Sequence, residues 1–399
     1  MEKKLIEKYA DVLVWALKKA RKKPFAKDDV VRIAYELPGL LLAEAIYKSL
    51  LKNGFNAVAK ALESASMERS FYEYSSEAQL KYVADGTKEF NKTLNGSIFI
   101  AAPESLTHLA GVHPKAISKA MVARKPFRDI LWRREEKGNF GWTLCLMPTE
   151  ATAKSSGMSI KEYEQQIIKA CFLDKPNPVA AWEDIYVRSG EIKKWLNKLA
   201  IKHLHIESKK CDLTLLLGEK RRWLGCSGHN IPSFEIFTSP DWRGTEGIYF
   251  ANLPSYRSGN YIENVRLEFK DGKAFKVKAE KGDAFVKQML KSDKTANQIG
   301  EFSLTDKRFS RIDKFMAETL FDENFGGKNG NCHIAVGSAY TDAYAGNVSS
   351  LTSSLKSKLG FNDSSLHWDL VNTEEKRVSA ILSNGTKKVI YENGMFLTS

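Results

Sequence analysis

Cysteine is scarce in this chain, and no two cysteines are spaced to act together. The five present, Cys145, Cys171, Cys211, Cys226 and Cys332, are scattered and odd in number, with no CxxC pair. That usage excludes a zinc ribbon and a disulfide framework, and a reducing cytoplasm is the expected compartment. Long apolar runs are also missing. PGLLLAEAIY is short and contains Glu44, so no segment is expected to span a bilayer and no membrane partner is expected. Internal repeats and low-complexity tracts are absent. The stretch GGKNG, residues 326–330, has glycine and lysine but not the GxxxxGK[ST] order that cradles a phosphate. The first residues, MEKKLIEKYADVLVWALKKARKKPF, begin with a basic patch, but Asp11 interrupts a brief apolar run and no small-residue cleavage site follows. They read as an amphipathic helix rather than a signal peptide.

A chain of 399 residues is too long for one ordinary core, and two domains are expected. Its 43% hydrophobic and 27% charged content is that of a soluble globular protein. The formal net charge is +13, but Lys and Arg are spread along the whole length without a basic–aromatic recognition motif. The charge therefore reads as a lysine-rich solvated surface, and no nucleic-acid partner is expected.

Helical and strand signals alternate through the first half. Residues 1–22 have helical periodicity, DDVVRIAYEL holds a short β-rich run, and PGLLLAEAIYKSLLKNG reads as a helix stopped by Gly54. GSIFIAAP reads as a strand, KAISKAMVARK as a helix, and NFGWTLCLMPTEATAKSSG as a strand entering a small-residue turn. SIKEYEQQIIKACFL opens with a capping pattern, Ser159 and Glu162. This alternation predicts an α/β N-terminal domain with an open sheet over residues 1–185. A Pro-containing connector, LDKPNPVAAWED, and a helix at GEIKKWLNKLAIK then lead into strand-rich sequence. HLHIES, DLTLLLGE, RRWLGCSG, EIFTSP, EGIYFAN and IENVRLEFKDGKAFKVKAE read as strands, with a hairpin at Asp271-Gly272. Helices are expected at KGDAFVKQMLKSD and RIDKFMAETLF. The expectation is an α+β C-terminal catalytic domain, residues 186–399, rich in antiparallel strands.

Unusual polar residues gather at loop–strand junctions of that second half, where a rigid frame commonly presents functional groups. Glu235 follows a Pro-Ser turn, and Glu301 follows Gly300. Glu323 precedes a Gly-rich loop, then His333 lies in a strand and Tyr340 beyond a Gly-Ser bend. In SSLHWDLV, His367 and Asp369 are two apart, so on a strand they share one face while Trp368 and Leu370 take the other. Two imidazoles and several carboxylates form the mixed nitrogen and oxygen set that suits zinc, cobalt or manganese, and two ions need about five or six such groups. Spacing alone leaves the plainer alternative standing: a His–Asp pair at a sheet edge and solvated strand-start glutamates. His203, His205 and Glu207 form a weaker rival metal set on one strand face. Cys332 and His333 are strand neighbours and face opposite sides, against a Cys–His nucleophile pair.

Four motifs, NIPSFEIFTSP, IGEFSL, DENFGGKNGNCHIAVGSAY and NDSSLHWDLV, occur in the order and rough spacing of one known family. The chain resembles the thermophilic-aminopeptidase family of dinuclear metallopeptidases, of the aminopeptidase T and S type. Looser agreement through LIEKYADVLVWAL, PGLLLAEAIYKSLLKNG and LMPTEATAKSSGMSIKEYEQQIIKAC extends it over essentially the whole chain. The resemblance implies a metal-dependent aminopeptidase that acts on peptides, is homodimeric and carries two divalent ions. Glu235, Glu301, His333, His367 and Asp369 match ligand positions. Glu323 matches a further ligand or a proton-handling carboxylate, either Glu301 or Glu323 is expected to carry the proton from the attacking water to the leaving amine, and Tyr340 matches a residue stabilising the tetrahedral intermediate. Phe234 stands where the family usually has glycine, and altered specificity is expected from it. Another two-metal amide or ester hydrolase, and a non-catalytic family member with a basic binding surface, are the alternatives.

Overall fold

Apolar residues recur every three or four positions near the start, and the computed structural model, which describes residues 1–398, folds them as helix Lys3–Ala20. Tyr9, Leu13, Ala16, Leu17 and Ala20 lie on its buried face, as a helical repeat of 3.6 requires. Strands β1 (Val30–Tyr35), β2 (Asn56–Ala61), β3 (Gly96–Ala101) and β4 (Gly141–Leu146) pair in parallel in the order β2-β1-β3-β4. Val31, Ile33, Ile98 and Ile100 are fully buried, the pattern of a parallel sheet between helices. Helix Ile160–Ala170 begins with the expected capping box: Glu162 N–H donates to Ser159 Oγ at 3.3 Å, and Ser159 N–H to Glu162 Oε2 at 2.9 Å.

The chain divides into two compact units, one of Met1–Trp182 with Ser227–Pro232, the other of Glu183–Cys226 with Ser233–Ser399. Residues 227–232 belong to the first unit through β4, where Leu144 N–H donates to His229 O (2.8 Å) and Ile231 N–H to Leu144 O (2.9 Å).

The second unit is strand-rich. Its strands are β5 (Ile201–Ser208), β6 (Asp212–Leu216), β7 (Glu235–Thr238), β8 (Asp241–Ala251), β9 (Ser255–Arg257), β10 (Asn260–Ile262), β11 (Val265–Lys270), β12 (Lys273–Lys278), β13 (Ile299–Thr305), β14 (Asn331–Gly337), β15 (His367–Asn372), β16 (Lys376–Leu382), β17 (Lys387–Glu392) and β18 (Met395–Phe396). Eight form an antiparallel sheet in the order β12-β11-β8-β6-β5-β16-β17-β18, and four form a second, β15-β14-β13-β7. The hairpin between β11 and β12 turns at Asp271 and Gly272, both at positive φ, the backbone of a two-residue type I′ turn.

Two sequence expectations fail locally. RRWLGCSG makes only isolated pairings, Arg221 with Tyr344 and Leu224 with Phe237, because Gly225, Cys226 and Gly228 sit at positive φ and break the extended run. RIDKFMAETLF is helical only at Thr319–Asp322. Ala317 is left-handed, and the buried Asp322 carboxylate accepts from the N–H groups of Met316 (2.7 Å) and Glu318 (3.0 Å). These local side-chain bonds replace helical ones. The connector also becomes regular earlier than expected, as helix Pro178–Lys198. Among the described residues no helix is long and apolar enough to cross a membrane.

The four-stranded sheet has two unlike faces. Ile236, Phe302, Leu304, Cys332, Ile334, Val336, Trp368 and Leu370 project to one side and are buried. Two tyrosines of the eight-stranded sheet tether the backbone behind that face. Tyr249 Oη donates to Leu370 O (2.7 Å) and lies 3.2 Å from Cys332 O, and Tyr391 Oη donates to Thr305 O (2.7 Å). A Tyr249→Phe substitution removes a buried donor and leaves carbonyls unpaired at little change in volume. We expect it to lower unfolding stability by about 2 kcal/mol in urea titration with the fold retained.

Candidate metal centre

Alternation along the four strands sets the chemistry of the other face. Residues at every second position share it: Glu235 and Phe237 on β7, Ser303 and Thr305 on β13, His333 and Ala335 on β14, His367 and Asp369 on β15. Register then brings them side by side. Glu301 and Asp369 both pair with Ala335, His333 pairs with Ser303, and Thr305 pairs with Glu235. The register of β13 shifts between Ile299 and Glu301, a bulge of the kind that re-aims a side chain. Gly300 sits in it, and a Cβ there would lie 2.3 Å from Ser338 O. Only glycine fits that approach.

The side chains converge on His333. Its Nε2 lies 3.2 Å from Glu301 Oε1, 3.4 Å from Glu235 Oε2 and 3.9 Å from Asp369 Oδ1. His367 Nε2 lies 3.4 Å from Asp369 Oδ1 and 3.8 Å from Glu301 Oε2. Two groups of potential ligand atoms result, Glu235–Glu301–His333 and Glu301–His367–Asp369, each within 4.8 Å. Glu301 belongs to both. Donor atoms about 2.1 Å from one ion stand roughly 3–4 Å apart, so the spacing fits a divalent cation in each group. Both are nitrogen–oxygen sets suited to zinc-like ions. His367 Nδ1 faces Ser338 O at 2.8 Å, which directs Nε2 to the cluster in the manner of metal-binding imidazoles. HLHIE makes no such set among the described residues: His205 instead pairs with Asp212 (2.8 Å) and Glu207 (3.4 Å).

Glu323 reaches the polar face by a different route. The excursion between β13 and β14 is held by Asn331 Nδ2, which donates to Glu323 O (3.0 Å) and Phe325 O (2.6 Å), and by Thr305 Oγ1, 3.3 Å from Glu323 O. Its carboxylate is buried beside the cluster but belongs to neither ligand group. Phe234 is fully buried, and its N–H donates to Asn324 Oδ1 at 2.5 Å. With Phe234 in the core, Glu235 keeps its place against His333. Tyr340 is 46% exposed. Its ring packs edge-on against His367, with centroids 5.0 Å apart.

Concentrated negative charge dominates the electrostatics. Burial, then Glu301, pushes the Glu235 carboxyl up to about 8. Burial, then Glu235, Asp369 and Glu301, raises Glu323 well above the usual range. Burial disfavours charge on both imidazoles, but the carboxylates outweigh it: the Glu301 hydrogen bond leads for His333 and the Asp369 charge for His367, and each rises to about 9. Burial likewise opposes a charged Asp369, yet His367 leads the cations that bring it down to about 2. Desolvation and then Glu301 and Asp369 raise the Tyr340 phenol well above its ordinary value and keep it a proton donor. The cluster attracts positive charge, and bound metal would supply it.

Sequence reasoning missed the supporting polar residues. Ser303 Oγ donates to Glu235 Oε2 at 3.3 Å, and its place two residues after Glu301 on a strand was the available signal. Asp293 was silent in sequence. It gathers the loop before β15, accepting from Ser364 Oγ (2.7 Å), Ser365 N–H (2.8 Å) and Thr295 N–H (2.9 Å).

The chain is 29% identical over 360 residues to aminopeptidase AmpS of Bacillus subtilis (strain 168), covering 84% of each chain. It is 30% identical over 309 residues to aminopeptidase T of Thermus aquaticus, covering 72% of this chain and 73% of that protein. The solved structure of wild-type AmpT from Thermus thermophilus superposes with a TM-score of 0.81 at 21% identity, over 98% of this chain and 99% of that one, and shows the same fold. The family model described as thermophilic metalloprotease (M29) matches residues 2–396, essentially the whole chain, and the chain belongs to that family.

Proposed function

We propose that this metalloprotease-family chain is an aminopeptidase that removes N-terminal residues from peptides with two divalent ions, of zinc, cobalt or manganese. The observation that carries this reading is the pair of ligand groups sharing Glu301 on one sheet face. Glu235 and His333 would hold one ion, His367 and Asp369 the other, and Glu301 would bridge them. Ions held there would polarise the scissile carbonyl and bring the pKa of a water towards neutrality.

The chain's own groups do the remaining work. Glu323, held protonated in the metal-free site by burial and its acidic neighbours, gives up that proton as positive charge enters. It then takes the proton of the attacking water and passes it to the leaving amine. Tyr340, protonated and beside His367, donates a hydrogen bond to the oxyanion that develops at the carbonyl. The catalytic domain is the C-terminal one, residues 186–399. Five free cysteines, all buried, support a reducing cytoplasm as its compartment, and the family resemblance supports a homodimer.

His367→Ala and Glu301→Gln should each lower turnover of leucyl-anilide at least about 100-fold, with circular dichroism unchanged. Near-normal activity in either purified variant would refute the assignment. Tyr340→Phe should cost about 100-fold in kcat while bound metal stays at the wild-type level, since it removes an oxyanion donor and no ligand. Chelation should abolish activity and added divalent ion restore it.

Metal affinity should depend on pH with a definite sign. His333 and His367 at about 9 and Glu235 at about 8 hold protons at neutral pH that a bound ion must displace. Affinity therefore rises from pH 6 towards pH 9. Calorimetric titration in buffers of different ionisation enthalpy measures the protons released, and zero release would contradict the arrangement.

A further inference from the structure

Phe237 follows Glu235 by two residues on β7, so its ring leaves the sheet on the face that carries the metal-binding groups. Its backbone is held along both edges. On one side it pairs with Ser303 of β13. On the other, its N–H donates to Leu224 O (3.0 Å) and its carbonyl accepts from Leu224 N–H (2.8 Å). The ring is half-buried and stands 5.4 Å, centroid to centroid, from Tyr340. Tyr340 is fixed in turn: its N–H donates to Ser239 Oγ at 2.9 Å, and its ring rests against His367. Two clamped aromatic rings thus form an apolar shelf beginning at a proposed metal ligand and opening to solvent.

A second feature beside the cluster has different chemistry. A small, open cleft includes Glu318, Glu323 and Asp369 in its lining, with Leu253, Tyr256 and Val265. At the N-terminal residue of a peptide, the ammonium group and the side chain leave the same carbon in different directions. The carboxylate-bearing cleft attracts the ammonium, which leaves the aromatic shelf for the side chain.

We propose that Phe237, with Tyr340, seats the side chain of the substrate's N-terminal residue and makes Phe237 the determinant of a preference for aromatic and branched aliphatic residues. The inference rests on the aminopeptidase reading. An apolar side chain gains by covering the exposed Tyr340 ring, and aromatic pairs add a geometric preference for aromatic substrates. A lysyl side chain gains neither an anionic partner nor full burial on this shelf.

The test compares kcat/KM for alanyl-, leucyl-, phenylalanyl- and lysyl-anilides, using metal-loaded wild-type protein and the variants Phe237→Ala and Phe237→Leu, with bound metal measured for each. The wild type should prefer phenylalanyl and leucyl substrates. Phe237→Ala should lower the phenylalanyl-to-alanyl and leucyl-to-alanyl ratios about tenfold at wild-type metal content, and Phe237→Leu should recover most of the leucyl preference. An equal loss on all substrates, or a wild-type preference for lysyl-anilide, overturns the inference and leaves the aminopeptidase reading intact. If Phe237→Ala does not fold, an unchanged ratio of phenylalanyl to leucyl rates in Phe237→Leu overturns it. Failure of the metal-loaded wild type to cleave any anilide overturns the underlying reading as well, a separate and recognisable result.

Discussion

His333 Nε2 meets the carboxylates of Glu301, Glu235 and Asp369 within 3.2–3.9 Å because strands β7, β13, β14 and β15 hold their groups on one face in a fixed register. A shift of any of these strands by one residue would turn its polar groups into the core and its core residues onto the polar face. The apolar face prevents that shift. Phe302, Ile334, Trp368 and Leu370 are each buried, and a slip would expose all those on the moved strand. Packing on one side of the sheet thus enforces chemistry on the other. The cost is concentrated negative charge: Glu235, Glu301, Glu323 and Asp369 lie close together out of water, and uncompensated buried carboxylates are strongly unfavourable. Protons on Glu235, Glu323 and the imidazoles relieve part of that cost, and bound cations would relieve more. Stability and metal affinity are coupled through the same groups.

Rigidity behind the cluster comes from polar contacts that sheet pairing alone would not supply. The Tyr249 and Tyr391 hydroxyls reach backbone carbonyls of β13 and β15 from the neighbouring sheet. Asp293 gathers the loop that delivers His367, and Ser338 fixes that imidazole's orientation through Nδ1. Gly300 lets β13 approach Ser338 O closely enough for the bulge that turns Glu301 inward. Each acts through backbone or a ligand side chain rather than on substrate. Misplacing a ligand by an ångström is as damaging as deleting it.

The parts legible in the sequence were those governed by local periodicity. The parallel N-terminal sheet followed from alternating strand and helix signals, and the Asp271-Gly272 hairpin from its turn residues. The shared face of His367 and Asp369 followed from the two-residue repeat of a strand. Convergence was not legible by spacing, because Glu235 and Asp369 are brought together by pairing across three intervening ladders. Only the resemblance of four motifs to one family linked them. The helix expected over RIDKFMAETLF failed because the buried Asp322 captures backbone N–H groups, a contact with no periodic signature. Residues 227–232 lie in the first unit while their neighbours lie in the second, and no composition shift marks that return. Phe234 takes a place that its local sequence did not disclose. A large residue beside a ligand threatens the site only if it points there, and it is fully buried with its N–H engaged by Asn324.

Burial is uneven across the cluster, and the unevenness has a direction. His333 and Glu301 are almost wholly enclosed, Asp369 is slightly more open, and the His367 side chain is 28% exposed. Tyr340, against His367, is more exposed still. The more open side of the cluster is therefore the one that carries His367 and Tyr340. In the other group the His333 imidazole is 1% exposed and the Glu235 side chain 10%. Enclosure of that inner group keeps its electrostatics in a medium of low polarity, where preorganised charge has its largest effect. Openness at the outer group provides access without exposing the rest. The same sheet therefore carries a well-shielded group and a more open one, because His333 lies on the inner strand β14 and His367 on the edge strand β15.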